Sequence, residues 1–146
     1  MQIYQKTVLE HSRSPLHFGS LELPTHMAEG FNPLCGDKTI VYLRTDGLNL
    51  IIEASHETSG CAICMSSASM MMDQLQSSKI KYAENLRDQI SDMLKNNTEG
   101  SLPEMPLRSL EGLTAFPSRI KCATLPWDTL MAALSGKPNT TTEQEA

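Results

Sequence analysis

Lys38-Thr39-Ile40-Val41-Tyr42-Leu43-Arg44-Thr45-Asp46-Gly47-Leu48-Asn49-Leu50-Ile51-Ile52-Glu53-Ala54 decides the reading of the fold. Residues 38–43 and 48–54 read as two strands. Leu48, Leu50, Ile52 and Ala54 alternate, so they are expected on one buried face. Asp46-Gly47 lies between the strands, and glycine tolerates the positive φ that a tight turn demands. The stretch is therefore expected to be an antiparallel hairpin.

Outward from the hairpin the pattern changes. Upstream, Tyr4, Val8 and His11 share a helical face, which ends at Ser12-Arg13-Ser14-Pro15 because the residue before proline avoids the helical region. A loop-rich stretch follows, with one strand at 26–31. Downstream, 63–76 is dense in Ser, Ala and Met without Gly or Pro, which suits a helix packed close to a neighbour. Tyr82, Leu86, Ile90, Met93 and Leu94 mark another helix, and 107–113 a short one. The last helix is expected at 124–135, with Pro126 in its first turn and Gly136 as its stop. Strands clustered together and then several helices make an α+β fold, a small antiparallel sheet packed against helices. One domain spans 1–137, and the polar stretch 138–146 is expected to be a disordered tail.

The composition narrows the function. Lys plus Arg number 12 against 17 Asp plus Glu, a net charge of −5 with no basic run, which argues against nucleic acid as a partner. No polybasic segment suggests a membrane surface, and no apolar run approaches the roughly 18 residues of a membrane span. No apolar stretch follows the charge in Met1–Lys6, so the expected compartment is the cytoplasm. Four cysteines there point to metal binding or catalysis rather than to disulfides.

Three of those cysteines sit at element boundaries. Cys35 and Asp37 flank Gly36 at the entrance to the hairpin. In extended chain, residues two apart point the same way, and glycine leaves the backbone free to aim them at one ion. Cys61 follows the second strand and precedes a helix, whose amino terminus favours a thiolate. A hairpin brings together the residues on its two flanks, so Cys35 and Cys61 are expected neighbours. Cys122 is expected just ahead of the final helix, where Arg119 and Lys121 favour its thiolate too. Cys35, Asp37, Cys61 and Cys122 make a set suited to zinc, and the same soft ligands suit an iron–sulfur cluster. Taken singly, each cysteine reads as well as a small buried apolar side chain. Cys61-Ala62-Ile63-Cys64 lacks both a second C-x-x-C and a thioredoxin-like βαβ setting, so Cys64 is expected to pack on its helix. Met70-Met71-Met72 is expected in the core, and His56 is not expected among the ligands.

Asn32-Pro33-Leu34-Cys35-Gly36-Asp37, Gly60-Cys61-Ala62-Ile63-Cys64-Met65-Ser66-Ser67-Ala68-Ser69-Met70-Met71 and Arg119-Ile120-Lys121-Cys122-Ala123-Thr124-Leu125 carry a family resemblance. Together they resemble the U-type iron–sulfur assembly proteins: SufU, IscU and the amino-terminal domain of NifU. The resemblance runs from about Tyr4 to Leu134 and implies the SufE/NifU-like α+β fold. Lys121 stands where IscU-like members carry a histidine, and 61 positions separate Cys61 from Cys122, which fits the extra segment of the SufU branch. Phe116-Pro117-Ser118-Arg119-Ile120 replaces the chaperone-docking Leu-Pro-Pro-Val-Lys of IscU.

The resemblance implies Cys35, Asp37, Cys61 and Cys122 as ligands of Zn2+, and Cys35 as the sulfur-accepting thiol, with Cys122 second. It implies a zinc-dependent sulfurtransferase that takes persulfide sulfur from a SufS-like cysteine desulfurase. A downstream iron–sulfur carrier or apo-protein would be the recipient. The alternative is a non-catalytic scaffold that builds a transient [2Fe-2S] cluster at Cys35, Cys61 and Cys122. A zinc-stabilised interaction domain without sulfur chemistry is the third reading.

Overall fold

A computed structural model describes residues 6–95 and 101–143; Ile3 and Tyr4, expected in the first helix, lie outside them. The expected hairpin is present as the centre of a sheet. Strand β1 is His26–Asn32, β2 Asp37–Thr45, β3 Leu50–Ser59, β4 Ser78–Lys79 and β5 Asn139–Thr141, in the order β4-β3-β2-β1-β5. The first four pair antiparallel, and β5 runs parallel to β1. Part of the stretch expected to be a disordered tail is thus an edge strand: backbone hydrogen bonds from Glu29 to Pro138 and from Thr142 to Phe31 hold it.

The β2–β3 turn is wider than two residues. Asp46 Oδ1 accepts the N–H groups of Leu48, Asn49 and Leu50 at 2.8–3.1 Å, and Gly47 has φ +81°. Leu48 therefore lies in the turn and is exposed. The expected alternation of Leu48, Leu50, Ile52 and Ala54 also fails, for a specific reason. Arg44 pairs with Glu53 but Thr45 pairs with Ile51, so Ile52 is an extra residue, a β-bulge. The bulge reverses the phase: Ile51 and Ala54 are buried, and Ile52 is exposed. Outside the bulge the sheet has one solvated face, with ion pairs Lys38–Glu29 and Arg44–Glu53, as an antiparallel sheet covered on one side should.

The other face carries the helices: α1 (Lys6–Arg13), α2 (Ala62–Leu75), α3 (Ile80–Leu94) and α4 (Pro117–Leu134). A 3₁₀ helix at Leu107–Ala115 packs against α3. Helices α2 and α4 lie on the sheet, and α1 packs on α2. The small residues of α2 serve this close packing: Ser67 bonds the Ala123 carbonyl of α4 and receives the Trp127 indole N–H. Ser69 meets His11 of α1. Met70, Met71 and Met72 are all fully buried. At Gly30 helix α4 comes so near that an added Cβ would stand 1.9 Å from Thr129 Oγ1. Helix α4 starts seven residues earlier than expected, so Pro126 lies in its interior rather than its first turn. No helix of the described residues is long and apolar enough to cross a membrane.

His56 belongs to this core and not to the cysteine cluster. It is fully buried, stacked edge-on against Phe18 at 5.3 Å. The Leu16 carbonyl can only accept, so Nε2 carries the proton and donates to it at 3.2 Å. Nδ1 then accepts from the Thr58 hydroxyl at 2.8 Å, and Thr58 accepts from Thr39. Burial favours the neutral ring and lowers its pKa from 6.5 to about 4. The unfolded chain therefore binds the proton first as pH falls through this window. The stability given by the neutral ring is complete above pH 6.5 and lost between pH 6.5 and 4. Denaturant unfolding at pH 7 and pH 4.5 should show a loss of about 2–3 kcal/mol from this group. In His56→Gln the drop between the two pH values should shrink by about that amount.

Candidate metal centre

The register of β1 and β2 builds the site. Asn32 and Asp37 are the last pair before the turn 33–36, and inward-facing residues alternate along both strands. The alternation that buries Ala28 and Gly30 on β1, and Thr39 and Val41 on β2, also buries Asn32 and Asp37. Lys38 pairs with Ser59, so Asp37 faces Gly60 at the end of β3. There a side chain would not fit: a Cβ on Gly60 would stand 2.3 Å from Asp37 Oδ1 and 3.0 Å from its Cα.

Asp37 is fully buried, and no ion pair among the described residues includes it. Its Oδ1 accepts the backbone N–H of Cys61 at 3.0 Å, and its Oδ2 accepts Asn32 Nδ2 at 3.1 Å. Two hydrogen bonds orient the carboxylate but leave its charge without a counterion, a costly state in an interior. Cys35 Sγ, an Asp37 carboxylate oxygen and Cys122 Sγ all lie within 4.8 Å of one another. Ligands of a tetrahedral zinc stand roughly 3.5–3.8 Å apart, given its bond lengths. A small contraction of this trio would therefore clasp a soft divalent cation, and the uncompensated carboxylate calls for one.

The expected four are brought to one place but not into one shell. Cys61 is not among the three whose ligand atoms are mutually that close. It caps α2, as expected, and its main chain holds Asp37. Hydrogen bonding from the Cys122 thiol, together with the N–H groups of Cys64 and Ile63, lowers the Cys61 pKa to about 6. Cys122 departs from expectation. It lies inside α4 and is buried, and its thiol is pushed up by the hydrogen bond to Cys61, by desolvation and by Asp37. Lys121 does not offset this, since its ammonium pairs with Glu143. Cys61 and Cys122 thus lie in mutual hydrogen-bond contact beside a carboxylate, and a cation bound there would favour both as thiolates. Cys35 is exposed in the turn, beside Gly36 with φ +73°. Cys64 is fully buried in the core, where desolvation raises its pKa far above the ordinary thiol value.

Residues 3–142 match the model of the NifU-like N terminal domain. The chain belongs to that family. Among its relatives, the zinc-dependent sulfurtransferase SufU of Bacillus subtilis (strain 168) is 33% identical over 129 residues, 88% of this chain and 86% of the relative. The iron–sulfur cluster assembly scaffold protein IscU of Thermotoga maritima is 31% identical, covering 90% of this chain and 92% of the relative. A crystal structure of a nitrogen-fixing NifU-like protein (N-terminal) from Brucella abortus superposes with a TM-score of 0.84 at 26% identity, covering 92% and 93% of the two chains. The fold of this NifU-like domain is therefore the family's.

Sequence reasoning missed Asn32 and Thr142 as parts of the site. Thr142 Oγ1 donates to Asn32 Oδ1 at 3.1 Å. The signal for Asn32 was present, an amide one turn-length before an aspartate across a hairpin. Thr142 lay in the stretch read as disordered. Gly60 provides the sharpest test of the geometry. Gly60→Ala should drive the Asp37 carboxylate off the Cys61 N–H and weaken binding of added zinc by about 10–100-fold, measured by chelator competition. Cys64→Ala should leave zinc binding at the wild-type level.

Proposed function

We propose that this NifU-like domain is an iron–sulfur cluster assembly protein, a zinc-dependent sulfur acceptor that takes persulfide sulfur from a cysteine desulfurase. Cys35, Asp37, Cys61 and Cys122 would hold the zinc. One observation carries the reading: an exposed, loop-borne thiol converges with a buried thiol on a buried carboxylate that no ion pair among the described residues includes. The name of the Bacillus subtilis relative supports zinc and sulfur transfer. Lys121 supports zinc further, because its ammonium has no lone pair for a metal and is engaged by Glu143. The proposed setting is the cytoplasm, with a SufS-like desulfurase as donor and a downstream carrier or apo-protein as recipient.

When bound, zinc holds the cysteines as thiolates at neutral pH. The residues divide the remaining work. The Cys35 thiolate attacks the outer sulfur of the donor persulfide. A new S–S bond forms at Cys35, the S–S bond of the donor breaks, and the donor cysteine leaves as its thiolate. The turn 33–36 lets Cys35 swing toward the donor, while Asp37 stays fixed by Cys61 N–H and Asn32. The second reading, a scaffold assembling a transient [2Fe-2S] cluster at Cys35, Cys61 and Cys122, draws on the Thermotoga maritima relative's name.

Brief incubation with a cysteine desulfurase and cysteine, then alkylation and peptide mass spectrometry, tests the proposal. One extra sulfur is expected on the Cys35 peptide. Cys35→Ala should lose it while still binding the desulfurase. Extra sulfur only on the Cys122 peptide would move the acceptor there. No extra sulfur on any peptide would end the sulfurtransferase reading.

A further inference from the structure

Asn32 is fully buried, and both ends of its amide are engaged. One N–H goes to Asp37 Oδ2 at 3.1 Å, and Nδ2 also stands 3.8 Å from Cys122 Sγ, within hydrogen-bond reach of sulfur. Its Oδ1 accepts the Thr142 hydroxyl at 3.1 Å. The orientation is set by chemistry. A carboxylate can only accept, so the NH2 end must face Asp37, and the oxygen is left for a donor. Thr142 supplies that donor from the far end of the chain, 110 residues away. Its own backbone N–H is anchored on the Phe31 carbonyl, next to Asn32. Glu143 follows and pairs with Lys121, the residue before Cys122. The two residues that follow β5 therefore touch Asn32 and the neighbour of Cys122, and neither is a ligand.

We propose that Asn32 is a positioning residue of the metal site and that Thr142, just past the carboxy-terminal strand β5, acts on the site through it. Thr142 locks the amide so that its N–H groups face Asp37 and Cys122, two ligands that come from different elements. Asn32 is thus the link that keeps the sheet-borne carboxylate and the helix-borne sulfur at a fixed separation. Amide donors to an anionic ligand also stabilise its charged, metal-binding form. This inference rests on the metal-site reading above.

The test uses the full chain loaded with zinc, and the rate of zinc loss to an excess of chromophoric chelator. Thr142→Val keeps the shape and removes the hydroxyl; it should release zinc about tenfold faster. Thr142→Ser returns the hydroxyl and should stay within about twofold of wild type. Asn32→Asp keeps an acceptor for Thr142 but offers no donor to Asp37. It should release zinc fastest of the three, about 10–100-fold above wild type. Loading with cobalt adds a readout that simple destabilisation would not move. The cobalt absorption bands should shift in Asn32→Asp and Thr142→Val, and not in Thr142→Ser. Wild-type release rates and unshifted bands in both Thr142→Val and Asn32→Asp would overturn the proposal. Equal acceleration in Thr142→Val and Thr142→Ser would overturn the hydroxyl's part in it. A wild-type chain that takes up neither metal would instead remove the metal-site reading on which the proposal stands.

Discussion

The carboxylate of Asp37 is buried at the closed end of the β1–β2 hairpin, and the architecture converges on it. The strand register places it there opposite Asn32, and the last residue of the β3 exit, Gly60, makes room for it by having no side chain. The first turn of α2 is tied to it through the Cys61 N–H. An unpaired buried carboxylate is costly, and leaving it uncompensated in a chain this size would consume a large part of the total stability. The surrounding hydrogen bonds orient the charge without neutralising it. A cation held there would balance that charge, and folding and metal binding would then draw on the same free energy.

The central hairpin was legible because its cause is local: a turn that glycine permits between two apolar runs. The cysteines at its flanks followed from the same fact, since strand pairing brings flanks together. What escaped the sequence was non-local. The bulge at Ile52 follows from the pairing of Arg44 with Glu53 and Thr45 with Ile51 across the hairpin, and it inverted the expected inward face. Helix α4 begins at Pro117 because proline suits a first helical position, whereas the sequence reading places Pro126 in that role. A proline there has no N–H for the Cys122 carbonyl four residues back. Around it the helix is held by packing that no window of sequence displays: Ser67 of α2 bonds the neighbouring Ala123 carbonyl.

Composition misled at the carboxy terminus. A Thr-rich polar stretch cannot build a core alone and reads as unstructured. It needs only an open edge to become a strand, and β1 offers one. The gain comes from main-chain hydrogen bonds, which are blind to side-chain type. The two side chains that matter, Thr142 and Glu143, then reach Asn32 and Lys121. Likewise, the cations beside Cys122 suggested an easily formed thiolate. The fold pairs Lys121 with Glu143 and buries the sulfur, where the hydrogen bond to Cys61 and desolvation hold the proton more tightly.

The candidate ligands differ in how firmly the fold holds them, and that difference bears on function. Asp37 is fixed by two hydrogen bonds from separate elements. Cys61 is locked at the start of α2, a helix buried on nearly every side. Cys122 lies within α4, whose approach to the sheet is set at Gly30 and Thr129. Cys35 alone sits on a short turn, exposed, beside a glycine in a left-handed conformation and an exposed Leu34. A closed structural zinc site gains nothing from a movable ligand; a relay needs one. If all four thiol and carboxylate groups were equally buried, no partner could reach sulfur without unfolding the domain. In the proposed relay, with three held and one free, the free thiol would leave, react and return while the others kept the site assembled. That asymmetry is what the proposed sulfur relay would use, with Cys35 as its movable thiol.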